Sequence, residues 1–200
     1  MINIIVMKNI IPGYMPILDC EILVDLFSPY NNKITIGIEI GSFLGRSSYE
    51  ISRAIPLGKL YCIDPWSGWE VGPPGRFHIS GQYFPLQGTK CSLSEFSSNI
   101  NKCDNIIPIQ GSCPECVSNW TESVTFVFLD AAHYNPSDRK SIDFWLPKIN
   151  SGGLFVGHDY IPCMPDRYPD IHENIKYLEE KLEQKVSCPN MKSSIWYFRI

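Results

Sequence analysis

Residues 34–64 read ITIGIEIGSFLGRSSYEISRAIPLGKLYCID. An apolar run ends in Glu39, a turn carries Gly41 and Gly45, an amphipathic segment follows, and a second apolar run ends in Asp64. Two buried strands joined by a helix are the nucleotide-binding half of an open α/β sheet. The two glycines remove Cβ atoms where a backbone must come close to a ligand. Ser47 with Glu50 three residues on forms a capping box, which predicts a helix starting at about Ser47. A dinucleotide fingerprint needs glycine at 41, 43 and 46; Phe43 and Arg46 break it. Asp64, at the carboxyl end of the second strand, is an acceptor-only group suited to the two hydroxyls of a ribose.

The rest of the chain repeats the strand–helix rhythm. Asp19 is expected to cap a helix running to about Phe27, behind a strap formed by residues 1–16. Ser92 and Glu95 make a second capping box. Ile106–Ile109 reads as a short strand, near an edge because of Pro108, and ends in the turn Gln110-Gly111-Ser112, with Cys113 next. VTFVFLD, residues 124–130, is a continuous apolar run of the kind buried on both faces. Asn135, Pro136 and Asp138 open a helix, residues 150–153 turn the chain, and Leu154–Gly157 forms a fifth strand ending in His158-Asp159-Tyr160. Ile171, Ile175, Leu178 and Leu182 mark a last helix. Val186 and Ser194–Arg199 read as a closing antiparallel hairpin around Pro189-Asn190.

Residues 65–88 break this rhythm. The stretch is rich in Gly, Pro and aromatic residues, has no period, and leaves the sheet at its ligand edge. A long irregular insertion there is expected to be a lid or acceptor-binding loop. Trp66 is placed to pack on a cofactor, and Trp69, Phe77, His78, Tyr83 and Phe84 to meet an acceptor. A packing or dimer segment is the other reading, so a homo-oligomer stays open.

Asp130 and Asp159 both follow parallel strands at their carboxyl ends. On neighbouring strands about 4.8 Å apart they can share one divalent cation, and Mg²⁺ suits two oxygen donors. His133 is within reach of a hydroxyl held there and is a candidate general base.

Glu39–Ser47, Ile63-Asp64-Pro65-Trp66, Leu129–His133 and Gly152–Tyr160 resemble the small class I methyltransferases that use S-adenosylmethionine (AdoMet), within them the macrocin-type O-methyltransferases and cephalosporin-hydroxylase-like enzymes. The resemblance spans about residues 34–160. It implies a Rossmann-like α/β fold of one domain, with a mostly parallel seven-stranded sheet, helices on both faces and an antiparallel C-terminal strand. It implies Glu39, Gly41, Ser42, Phe43, Gly45 and Ser47 around the methionine end of AdoMet, Asp64 and Trp66 at the ribose, and Gly111, Ser112 and Cys113 near adenine. Asp130 is implied at the cofactor and, with Asp159, as a metal ligand, and His133 as base. The expected acceptor is a hydroxyl on a sugar or small polar metabolite; a hydroxylase-like or nucleotide-sugar enzyme and a non-catalytic AdoMet-binding module are the alternatives. Metal-dependent relatives carry a carboxylate or amide beside the second Asp. Here the flanks are His158 and Tyr160, which favours a cation that accepts nitrogen, such as Mn²⁺ or Fe²⁺.

Composition narrows the partners. Seventeen basic against 21 acidic residues give a formal charge of −4, with no basic block to hold nucleic acid. No apolar run is long enough to span a membrane. The eight cysteines are scattered, as expected of free thiols in a reducing cytoplasm. Cys113-Pro-Glu-Cys116 alone has redox spacing, and a zinc site would need a second pair.

Overall fold

The computed structural model describes residues 11–70, 76–79, 82–85 and 90–200, with only the main chain described at 68–70, 76–79 and 82–85. Residues 1–10 of the expected strap lie outside the described residues.

In chain order, α1 (Ile17–Phe27) precedes β1 (Ile36–Ile40), α2 (Arg46–Ala54) and β2 (Lys59–Asp64). Four short strands follow: β3 (Ser67–Glu70), β4 (Arg76–Ile79), β5 (Gln82–Pro85) and β6 (Lys90–Ser92). Then come α3 (Leu93–Asn99), β7 (Ile106–Gln110), β8 (Val124–Leu129), α4 (Ser137–Trp145), β9 (Ile149–Gly157), α5 (Pro169–Leu182) and β10 (Trp196–Arg199).

Six of these strands form the main sheet, in the order β10-β9-β8-β1-β2-β7. All neighbours are parallel except β10, which runs antiparallel to β9. The expected seventh strand is reduced to one antiparallel bridge between Ser187 and Tyr197. Its start is diverted because the Val186 amide donates to Glu179 Oε1 at 3.1 Å rather than to a ladder. β7 lies at the edge, where Pro108 deprives no neighbour of a donor. The turn expected at 150–153 is instead a register shift inside β9, with Gly152 at φ +82°.

Strand alternation sends side chains to two cores. Phe126, Phe128, Leu154 and Val156 join α1, α2 and α3 through Leu23, Phe27, Ile51 and Phe96. Val127, Leu129 and Phe155 join α4 and α5 through Ile142, Trp145, Ile175 and Leu178. Being covered on both faces is why the β8 run is continuously apolar.

Three helix starts differ from expectation. Asp19 lies inside α1, whose N-cap is Pro16, and its carboxylate is used elsewhere. α2 starts at Arg46 after Gly45 in the left-handed region (φ +91°), without a side-chain cap; Ser47 is turned to Glu39, so the capping box does not form. Nor does Asn135 cap α4; its amide donates to Asp170 Oδ2 at 2.8 Å, and Asp138 Oδ1 accepts from the Ala132 amide at 3.3 Å. At α3 the N-cap half of the expected box is present, the Ser92 hydroxyl accepting from the Glu95 amide. The 65–88 stretch is more regular than its sequence: β3 pairs with β6, and β4 pairs with β5, setting Phe77 opposite Phe84 and His78 opposite Tyr83.

Gly37 is where the first core meets the sheet. A Cβ there would lie 2.2 Å from Phe126 Cζ, whose ring stacks on Phe27 at 4.0 Å. Gly37→Ala is therefore expected to destabilise the fold by about 2 kcal/mol through overpacking, lowering the melting temperature by roughly 5 °C. An unchanged thermal melt would show that the ring stack has slack.

Candidate functional site

From β1 the chain moves outward to β2 and β7, then returns to the other side of β1 for β8 and β9. Such a reversal opens a crevice at the carboxyl ends of the strands. The crevice is a cavity of about 1180 Å³. That volume exceeds a usual single-ligand pocket and leaves room for two small molecules.

Main-chain bonds carry the sheet ladder into the loops that line it. The Gly41 amide donates to Ile63 O (2.9 Å), Asp130 to Ile40 O (2.9 Å), Gly111 to Asp64 O (3.0 Å) and His158 to Leu129 O (3.2 Å). Gly41 is at φ +91°, and a Cβ on it would lie 1.9 Å from the Asp130 carbonyl oxygen. No other residue type lets the first and fourth parallel strands close here.

On the β1–β2 side, Asp64 is buried at the cavity wall. Its Oδ2 accepts from the Phe43 amide (2.9 Å) and its Oδ1 from the Trp66 amide (2.8 Å), with Cys91 Sγ 4.0 Å away. Burial pushes its carboxyl up, and the two amides pull against that. On the β8–β9 side, Asp130, His133 and Asp159 present one ligand atom each within 4.8 Å of one another. His133 Nε2 stands 3.4 Å from Asp159 Oδ2 and 3.8 Å from Asp130 Oδ1. His133 (φ +58°) and Asp159 (φ +62°) both hold left-handed backbone, a strain that collects at functional sites.

A family model described as "Methyltransferase domain" matches residues 38–160. The chain belongs to this family of AdoMet-dependent methyltransferases. Similar solved structures include an O-methyltransferase from Bacillus cereus in complex with S-adenosylhomocysteine (SAH), at 15% identity and TM-score 0.61, covering 94% of this chain and 83% of that one. The calicheamicin methyltransferase CalS11 has 12% identity and TM-score 0.66, with 91% and 78% covered. TomG, an O-methyltransferase of tomaymycin synthesis from Streptomyces achromogenes in complex with AdoMet, has 16% identity and TM-score 0.59, with 89% and 76% covered. No curated protein matches the chain in sequence.

Of the residues expected in this methyltransferase site, Gly41, Ser42, Phe43, Ser47, Asp64, Gly111, Ser112, Cys113, Asp130, His133 and Asp159 line the cavity. Glu39, Gly45 and Trp66 do not. Glu39 is fully buried behind the turn, accepting from Ser47 Oγ (2.5 Å), from Ser48 Oγ and from Cys62 Sγ (3.2 Å). Burial raises its carboxyl and these donors oppose the rise. Gly45 faces Phe96 and Ile100. Trp66 is in the core on Phe96, its Nε1 donating to Phe43 O at 2.8 Å. All three act on the turn from within. The side chains of Trp69, Phe77, His78, Tyr83 and Phe84 lie outside what is described. All eight cysteines are free; in the CxxC pair Cys113 is buried, taking a bond from Trp145 Nε1, and Cys116 is exposed.

The cavity is also lined by residues that motif reading passed over. Asp19 and Arg46 line the cavity, as does His158. Asp19 had a signal: an acid on the same stripe of α1 as buried Ile22 and Leu23. His158 Nε2 bonds Asp19 Oδ2 at 2.8 Å, while Nδ1 stands 3.3 Å from Asp159 Oδ2 and 3.5 Å from Asp130 Oδ1. Burial alone would depress the imidazole, but the Asp130 charge and the bonds to Asp130, Asp159 and Asp19 outweigh it and hold His158 well above its usual range. Burial likewise opposes ionisation of Asp159, and the bond and charge of His158 reverse this, holding it low. Burial pushes Asp138, next to this cluster, up to about 6 against the charge of His133.

In protein freed of metal, His158 is expected to keep imidazolium nitrogen shifts across about pH 5.5 to 7.5, where a free histidine titrates. Because the folded pKa is raised, its contribution to stability is whole below about 6.5 and is lost as pH climbs through the folded value. The melting-temperature gap between the wild type and His158→Gln should therefore be larger at about pH 6 than at about pH 9. An NMR midpoint near the free value would overturn this assignment.

Proposed function

We propose that the protein moves the methyl group of AdoMet to a hydroxyl on a small metabolite such as a sugar. What carries this reading is the continuity of one cavity, from the Gly41–Phe43 turn and Asp64 at one end to Asp130, His133 and Asp159 at the other.

The cofactor lies over the β1–β2–β7 half. An ionised carboxylate has about four acceptor sites, and Asp64 spends two on amides; the others take the ribose hydroxyls. Gly111, Ser112 and Cys113 border the adenine. The acceptor sits over β8 and β9. His133 takes the hydroxyl proton on Nε2, the oxygen bonds to the methyl carbon, and the carbon–sulfur bond breaks to leave SAH without its sulfonium charge. Alignment of oxygen, carbon and sulfur supplies much of the acceleration.

The donor set also fits a divalent cation, with two carboxylates and one imidazole converging within 4.8 Å. When bound there, such an ion lowers the pKa of a hydroxyl it holds. Asp130 and Asp159 would hold it as oxygen donors, with the His133 nitrogen left free to act as base; two carboxylates suit Mg²⁺ or Mn²⁺.

Calorimetry with SAH should give a Kd in the micromolar range, and no heat would remove the cofactor reading. Asp64→Ala should raise that Kd at least about tenfold and also lower the melting temperature, since two amides lose their acceptor. His133→Ala should bind SAH as the wild type does while losing about 10²–10⁴-fold in transfer of labelled methyl to a panel of sugar and phenol acceptors. Full transfer by His133→Ala would end its role as base. A chelator should lower turnover and Mg²⁺ or Mn²⁺ restore it; turnover indifferent to chelator would take the ion out of the reaction and leave methyl transfer standing.

A further inference from the structure

Arg46, the first residue of α2, is only 7% exposed and lines the cavity. Its Nη1 donates to the Gly13 carbonyl at 3.4 Å, and its guanidinium stands beside the Cys20 thiol. Both neighbours are neutral; the carboxylates nearest this thiol, Asp19 and Glu50, are engaged by His158 and Arg53. No ion pair among the described residues includes Arg46. Residues 1–10 and 71–89 contain no Asp or Glu, which leaves Glu70 as the one acidic side chain outside the description. A guanidinium withdrawn from water without a counter-charge is costly. A ligand that brings the missing anion removes that cost.

The start of α2 adds to the same field. Its N-cap Gly45 offers no side chain, and Ser47 is turned to Glu39, so the first-turn amides carry no side-chain cap. These amides and the helix dipole favour an anion. The strap closes over this place: a Cβ on Gly13 would lie 2.9 Å from Arg46 Cβ.

We propose that Arg46 binds the α-carboxylate of the cofactor's amino-acid tail. This rests on the AdoMet reading above. Among the charged groups of AdoMet, the carboxylate is the anion; the sulfonium and ammonium are cations. Arg46 belongs to the same turn and helix as Gly41 and Ser47, whereas the acceptor end is dominated by Asp130 and Asp159, which repel an anion.

The test is a cycle between protein and ligand, read by calorimetry. The ligands are SAH, decarboxylated SAH and 5′-methylthioadenosine, which keeps the nucleoside and sulfur but lacks the tail. Arg46→Gln should weaken SAH about 30-fold, as removal of one partner from a buried charge pair does, and leave 5′-methylthioadenosine within about twofold. Arg46→Lys should regain part of the loss. Decarboxylated SAH should bind the wild type about 30-fold more weakly than SAH, and Arg46→Gln should hardly distinguish the two. Equal weakening of SAH and 5′-methylthioadenosine would make Arg46 a prop for the strap and overturn the proposal. So would unchanged SAH binding, with or without a raised KM for acceptor. If Arg46→Gln does not fold, the wild type decides: less than about threefold preference for SAH over its decarboxylated analogue overturns the proposal. A wild type that binds neither SAH nor 5′-methylthioadenosine instead brings down the cofactor reading itself.

Discussion

The contact on which the site depends is between two stretches of main chain. Where β1 ends, the Cα of Gly41 passes so close to Asp130 that any side chain would overlap the Asp130 carbonyl. The same two loops are tied to the ladder, Gly41 to Ile63 and Asp130 to Ile40. The glycine therefore does more than clear space for a ligand. It lets the turn after β1 and the acid after β8 share one edge of the crevice, so that a molecule cradled by the turn lies against the acidic tip. The reversal of strand order makes the crevice, and this approach sets its width.

Behind that edge the chain uses buried polar groups in its own framework. Glu39 sits in the sheet with no exposure and is satisfied by Ser47, Ser48 and Cys62. A buried carboxylate is tolerable when its lone pairs are filled. Here the donors come from α2 and β2, so one side chain fastens the helix start and the neighbouring strand to β1. Asp64 does the same for the turn itself through the amides of Phe43 and Trp66. Both acids read, in sequence, as ligand contacts; the first lies fully buried behind the cavity wall with its acceptors taken by the protein, and the second lines the cavity.

Periodicity carried much of the fold. The double-faced run at β8, the amphipathic stretch of α5 and the edge position of β7 all follow from apolar spacing and one proline. Local capping rules did less well wherever a functional group competed for the same residue. Ser47 and Glu50 satisfy the pattern of a capping box, yet Ser47 answers to Glu39, 8 positions back. Asp19 satisfies the pattern of an N-cap, yet it answers to His158, 139 positions away. A motif records which bonds a residue is able to make; the choice between a local partner and a buried distant charge is made by desolvation, which needs the assembled fold. The left-handed backbone of His133 and Asp159 is hidden for the same reason, since nothing in either residue type requires it.

The charge around His158 bears on the proposed chemistry. Asp19, Asp130 and Asp159 surround it at 2.8 to 3.5 Å. In transfer from a sulfonium, positive charge on sulfur disappears as the methyl leaves. Fixed carboxylates beside the sulfur therefore favour the bound cofactor over the transition state, and binding the ground state more tightly than the transition state slows the step. An imidazolium seated among the acids offsets one of the three negative charges without occupying the acceptor's place. Its Nε2 is tied to α1 through Asp19, and its Nδ1 faces the carboxylates of Asp130 and Asp159. The acids can then position an acceptor hydroxyl, and a cation where one binds, while the field they exert on the departing sulfur is reduced.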